Sequence, residues 1–340
     1  MFMGCPASAR RRLGWRDPGA APGGSLGLAA AAGGCESACL RRAREGAGGR
    51  YYRQDFGGRG GARVDGGYYK GRVAVITGAG SGIGRAVAAR LAREGALLAL
   101  LDRDGPALAA AARQCQDAGA RAWAQAADVT DRAALEASAK AAVAEFGHVD
   151  LLCCAAGVIH TGTAVASAWE DTARVVEVNL LGTMGTVAAF LPRLIDSGGG
   201  HVIMCSSGFG LLGVPRYSAY CASKFGVRGF SEALGMEMAL AGHPVTVTCA
   251  YPGVVRTPIM RSGTFAAGED AAAVAGRFER LARTEPDQAA EVILRRARQG
   301  RARAVVGVDA QVAAAAIRVL GSSYQRAVPL AARLARRRAR

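Results

Sequence analysis

Eight residues, Thr77-Gly78-Ala79-Gly80-Ser81-Gly82-Ile83-Gly84, place the tightest limit on how this chain can fold. They follow an apolar run at 73–77 that reads as a strand and precede an amphipathic stretch at 85–93 that reads as a helix. Glycines at such a turn adopt backbone angles closed to other residues. They also let an anion reach the amides at a helix N-terminus. With 47 glycines in the chain, a Gly-rich turn alone would say little. The strand before it and the helix after it give it weight.

The same alternation continues. Strands are expected at 97–102, 122–126, 149–154, 202–205, 245–250 and 304–308. Helices are expected at 106–117, 132–146 and 170–195, then from Tyr220 to about Ala241, with further helical stretches in 264–299. Strands alternating with helices predict a doubly wound parallel sheet of about seven strands with right-handed crossovers, in one domain over 68–310. Residues 1–67 are rich in Gly, Ala and Arg without hydrophobic periodicity and read as a disordered extension. Residues 311–340 read as a basic amphipathic tail.

The formal charge of +16 suggests a nucleic-acid binder until it is located. Residues 1–67 hold 11 basic and 5 acidic side chains and 291–340 hold 12 and 2, leaving 20 of each sign between. The core is neutral, so the charge says nothing against an enzyme. With no stacking aromatics or reader motif, specific nucleic-acid binding is not expected. The nine cysteines are odd in number and lie mostly in apolar runs, the pattern of reduced buried thiols in a cytoplasmic protein. Four scattered histidines and a lone CxxxC give no metal site. No run of about 20 apolar residues is seen, so no membrane-spanning helix is expected.

Tyr220 and Lys224 stand four apart in an expected helix and so share one face. An ammonium there favours the phenolate and would lower the tyrosine pKa, making Tyr220 a candidate general acid/base. Only three of the 43 basic residues are lysines, so a lysine here points to a need for a compact cation. Ser207, at the end of the 202–205 strand, can converge with Tyr220 on one substrate oxygen. Asp102 ends the second strand, where an acid can hydrogen-bond both ribose hydroxyls of a dinucleotide and repel a 2′-phosphate. NAD is therefore expected, with Arg103 next to it leaving NADP open.

With these pieces assembled, residues 70–310 resemble the short-chain dehydrogenase/reductase family. The motifs in family order are TGxxxGxG at 77–84, Asp128-Val129, Asn179, Ser207, Tyr220-x-x-x-Lys224 and the turn Pro252-Gly253-Val254-Val255-Arg256-Thr257. Asn179 is the only asparagine in the chain. The resemblance implies a Rossmann-type fold and a set of roles. Tyr220 would move the proton, Lys224 would tune it and hold the nicotinamide ribose, Ser207 would bind the substrate oxygen, and Asn179 would position a water. Thr77, Gly78, Ser81, Gly82, Ile83 and Gly84 would face the cofactor phosphates, and Asp128 and Val129 the adenine. Pro252, Gly253, Val255 and Thr257 would hold the carboxamide.

One departure follows the fourth strand. The family usually shows Asn-Asn-Ala-Gly, whereas this chain has Cys154-Ala155-Ala156-Gly157, which puts local rigidity and cofactor affinity in question. The apolar loop Phe209-Gly-Leu-Leu-Gly-Val-Pro215, with 258–265, points to a hydrophobic alcohol or ketone as substrate, Phe209 contacting it. The resemblance also implies a homodimer or homotetramer packed through 170–195 and 218–241. For the tail, a solvated basic run and a peripheral membrane contact both remain open. A non-catalytic dinucleotide-binding scaffold, or a protein acting through its tails, is the competing reading of the whole chain.

Overall fold

The computed structural model describes residues 67–326 and Pro329. The expected N-terminal extension, Gly67 apart, and most of the run beyond 326 lie outside the described residues. In chain order the strands are β1 (Val73–Thr77), β2 (Leu97–Asp102), β3 (Ala122–Ala126), β4 (Leu151–Cys154), β5 (His160–Thr161), β6 (Gly200–Cys205), β7 (Val245–Pro252), β8 (Thr264–Phe265) and β9 (Arg303–Val306). The helices are α1 (Gly82–Arg93), α2 (Gly105–Asp117), α3 (Arg132–Phe146), α4 (Trp169–Val176), α5 (Gly182–Asp196), α6 (Ser218–Ala241), α7 (Ala271–Leu281), α8 (Pro286–Arg298) and α9 (Val308–Leu320).

Seven strands form one parallel sheet in the order β3-β2-β1-β4-β6-β7-β9. Both faces are covered. Ala74 and Ile76 of β1 pack with Val87 and Leu91 of α1, Leu108 of α2 and Ile293 of α8. The alternate residues Val73 and Val75 pack with Leu135 of α3, Phe190 and Leu194 of α5 and Leu234 of α6. A strand buried on both faces must be apolar throughout, as VAVIT nearly is. Each fully buried leucine contributes about 1.5–3 kcal/mol to this arrangement. The order reverses between β1 and β4, and a crevice opens there beyond the strand ends.

Helix ends carry their own signals. Asp104, Asp131 and Asp270 cap α2, α3 and α7 through their side chains, and Pro286 opens α8 inside a capping box of Glu285 and Gln288. Gly147 and Gly242 close α3 and α6 in the left-handed region.

Three features depart from the sequence reading. The helix expected at 170–195 is α4 and α5 joined by a π turn at Glu177–Leu181, which opposes a different face to the sheet than an unbroken helix would. No run of about 20 apolar residues occurs there, but an 18-residue window within Trp169–Asp196 has a mean hydropathy of 1.4, enough by length and composition to cross a bilayer. However, 56% of that window is buried, and its apolar residues serve the core. Finally, the boundary drawn at residue 310 falls within α9. Its Ala310 is buried and its Ala314 and Ile317 pack on Leu211 and Tyr251.

Candidate active site

The turn at 77–84 is shaped by close approach. Gly78 has φ +69°, and a Cβ there would lie 2.7 Å from the Ala156 nitrogen, so only glycine fits. A Cβ on Gly84 would strike the Gly78 carbonyl. Ser81 sits at the N-cap of α1 without making a side-chain cap bond, and no acid occupies the first helical turn. That leaves the positive end of α1 available to an anion.

Ser81, Gly82 and Ile83 line a cavity of about 230 Å³ together with Gly78, Asp102, Arg103, Asp128, Val129, Ala155, Ala156, Gly157 and Thr257. Thr77 and Gly84 do not line it; both are buried and shape the turn from beneath. Asp102 accepts hydrogen bonds from Gly80 N at 2.9 Å and Asp104 N at 3.0 Å, fastening the glycine turn to the end of β2 while still lining the cavity. Burial pushes the Asp128 carboxyl up, but hydrogen bonds from Thr130 and the charges of Arg103 and Arg174 outweigh it and leave the pKa lowered. Although Cys154 and Ala155 stand where the family has amides, the ladder runs on past β4, because Ala155 N donates to the Thr77 carbonyl at 3.2 Å.

A second, more apolar cavity of about 320 Å³ shares Ile83, Ala155, Gly157, Thr257 and Ile259 with the first, so the two adjoin. Ser207, Tyr220 and Lys224 all line it, as do Phe209, Pro252, Gly253 and Val255. Ser207 ends the segment leaving β6, with Oγ accepting from Phe209 N at 3.1 Å. The Phe209 ring meets Tyr220 edge-on at 6.0 Å between centroids. Tyr220 and Lys224 stand one turn apart on α6, with Nζ 5.6 Å from the Tyr220 ring centre.

The electrostatics differ from the sequence reading in one respect. Burial pushes the Tyr220 pKa up to about 12, and the hydrogen bond with Ser207 pulls the other way. Lys224 is not among the groups that move it; its Nζ is drawn to the Cys205 carbonyl at 2.9 Å. Burial lowers Lys224 itself to about 8. Desolvation of the phenol thus exceeds the help expected from the ammonium.

Asn179 is fully buried in the π turn. Its Oδ1 accepts from Val158 N at 2.8 Å, and its Nδ2 donates to the Val158 carbonyl at 2.9 Å and to Ser223 Oγ at 3.1 Å. The amide thereby ties the segment after β4 to α6. A Cβ on Gly157 would lie 3.2 Å from Asn179 Oδ1 and 3.4 Å from Lys224 Nζ, so both flank the same glycine.

Sequence reasoning missed Asp309. Its Oδ2 accepts from Val254 N at 2.7 Å, it lines the second cavity, and a Cβ on Gly253 would collide with both carboxylate oxygens. One signal was present: Asp309 is the only acid after Glu291. Phe278, Ala310 and Ala313, also missed, complete the apolar wall with Leu212 and Val214 of the loop expected to face the substrate.

Residues 72–265 match the short chain dehydrogenase family, and the chain belongs to the short-chain dehydrogenase/reductase family as an oxidoreductase. The oxidoreductase named SadH of Mycobacterium tuberculosis is 46% identical over 261 residues, covering 76% of this chain and 95% of its own. A 2-dehydro-3-deoxy-L-rhamnonate dehydrogenase (NAD(+)) of Sphingomonas is 40% identical over 198 residues, 57% of this chain and 76% of its own. A crystal structure of a short-chain dehydrogenase/reductase from Burkholderia phymatum in complex with NAD has 31% identity and a TM-score of 0.65, covering 70% of this chain and 89% of that one.

Proposed function

We propose that the protein interconverts a secondary alcohol and a ketone on a hydrophobic small molecule, using NAD. The observation that carries this reading is the convergence of Ser207, Tyr220 and Lys224 in an apolar cavity adjoining the cleft beneath the glycine turn. The cleft fits a dinucleotide: Gly78 and Gly82, both at positive φ, leave main chain where side chains would intrude, and α1 offers its N-terminus. A nicotinamide cofactor, when bound, gives or takes the hydride.

The chain's own groups do the rest. Ser207 Oγ holds the substrate oxygen, Tyr220 gives it or takes from it a proton, and Lys224 holds the cofactor ribose. Asn179 fixes the Lys224 neighbourhood through Val158 and Ser223. With burial holding the phenol near 12, a cation brought beside it lowers that value, so proton removal is coupled to loading of the oxidised cofactor. Asp102 receives the ribose hydroxyls, which favours NAD; Arg103 in the same cavity keeps NADP in the test. Pro252, Gly253, Val255 and Thr257 take the carboxamide end.

Phe209, Leu212, Val214, Ile259 and Phe278 support a hydrophobic substrate. A spectrophotometric screen of alcohols and ketones with both dinucleotides tests the reading. Hydrophobic ketones should be turned over with NAD; sugar acids or polyols outperforming them would reject the substrate class, and no turnover with any would reject the enzyme. We also propose a homodimer or homotetramer, supported by the exposed Trp169, Leu181, Met184, Phe225 and Met236 on α4 to α6 and the turn between α4 and α5. A monomer mass in light scattering would reject that.

A further inference from the structure

Helix α9 has two apolar faces, and the cavity accounts for only one. On the inner face Ala310 and Ala313 wall the cavity, while Ala314 and Ile317 pack on Leu211 and Tyr251. Both ends are pinned, one by Asp309 to Val254 N and the other by Gly213 N donating to the Tyr324 hydroxyl at 3.0 Å. On the outer face Val308, Val312, Ala315 and Val319 follow at spacings of four, three and four, a single helical stripe. Its valines are 74%, 61% and 84% exposed, and Leu320 beside them is 46% exposed. Scattered apolar residues on a surface need no explanation, but a continuous stripe marks a contact.

The sequence that follows sets the sign of the partner. Residues 321–340 contain six arginines and no acid, and Arg318 is exposed on α9 itself. A second copy carries the same arginine-rich sequence and so offers this face no complementary charge. A nucleic acid would meet the arginines but leave the valines wet, and α9 carries no aromatic ring for a base to stack on. An anionic bilayer meets both, with headgroups for the arginines and hydrocarbon for the valines.

We propose that the outer face of α9, with the arginine run after it, docks the protein on an anionic membrane surface. The helix that walls the substrate cavity is then the helix that touches the bilayer, and a lipophilic substrate reaches the cavity along it. That last step rests on the oxidoreductase reading above; the docking does not.

The test floats the full-length protein with vesicles of phosphatidylcholine alone and of equal parts phosphatidylcholine and phosphatidylserine. The protein should rise with the mixed vesicles only, and added salt should weaken the association. Val312→Glu with Val319→Glu, and separately Arg336→Glu with Arg337→Glu and Arg338→Glu, should each reduce mixed-vesicle binding by about tenfold or more. Turnover of a water-soluble ketone and the melting temperature should stay unchanged, showing that the variants fold. Binding to neither vesicle, equal binding to both, or undiminished binding by the valine variant overturns the proposal. So does a smaller oligomer mass for the valine variant with no vesicle binding by the parent, which would assign the face to a second copy. Vesicle binding by a protein that turns over no substrate would leave docking standing and reject the enzyme reading instead.

Discussion

The two adjoining cavities are made of different material. The cleft over β1 to β4 comes mostly from short contiguous stretches around 78–83, 102–104, 127–129 and 155–158, with three glycines and three aspartates in its lining. The cavity around Tyr220 gathers side chains from Phe209, Ile259, Phe278 and Ala313, segments spread over more than a hundred residues. A wall of main chain admits few residue types, since Gly78 can be nothing else. A wall of apolar side chains admits many. The first site should therefore break sharply under substitution and the second should bend.

The sharpest break belongs to the group the two cavities share through their chemistry. Tyr220→Phe should lower kcat about a thousandfold while NAD binding, followed by fluorescence quenching, changes little. Retained turnover would remove the phenol from the mechanism. Next comes Gly78→Ala, which meets both the positive φ and the Ala156 nitrogen. A loss of about 1–3 kcal/mol in stability, with weakened NAD binding, is expected in thermal melts and titrations.

Asp309→Ala tests whether the second cavity has a rigid part after all. It removes the acceptor of the solvent-accessible Val254 N–H, so about 0.5–1.5 kcal/mol of stability and several-fold in KM for NAD should go, and Asp309→Asn, which keeps an acceptor, should recover most of both. On the bending side, Phe209→Leu should raise KM for a hydrophobic ketone by less than about fivefold and leave NAD affinity alone. A larger loss would show that this wall is as exacting as the glycine turn.

The smallest expected effect is in pH. Lys224 titrates at about 8 in the fold, against 10.5 for a free lysine side chain. Between these the unfolded chain binds more protons, so stability attributable to this group rises with pH across that window and is flat on either side. Tyr220, raised to about 12, acts with the opposite sign above 10. From pH 8 to 10 the parent should therefore gain a few degrees in melting temperature relative to Lys224→Met. A gap that does not change with pH would show that the lysine is not desolvated as the fold implies.

The same contrast decided what could be read from sequence. The sheet was legible because both-face burial forces apolar runs such as Val73–Thr77, and the cleft over β1 to β4 because Gly78 and Asp102 meet narrow geometric demands at fixed spacing. Tyr220, Lys224 and Ser207 were found through helical spacing and a strand end, and they line one cavity. The two-residue strands β5 and β8 were not found, since two residues carry no periodicity. Nor was Asp309, whose partner Val254 lies 55 positions away and is bonded through the backbone, leaving no side-chain pattern. The rank of burial over Lys224 in setting the Tyr220 pKa depends on packing from all sides, which a linear spacing cannot supply.

The wide coil at Glu177–Leu181 carries an evolutionary consequence. It is one residue out of step with the helices either side, so removing a single amino acid there would let the rod run straight and spin everything after it by about 100°. Asn179 could keep its identity and still lose Val158 and Ser223. This stretch should thus tolerate swaps of side chain far better than any change in length, a pattern that a deletion scan set beside a substitution scan would expose.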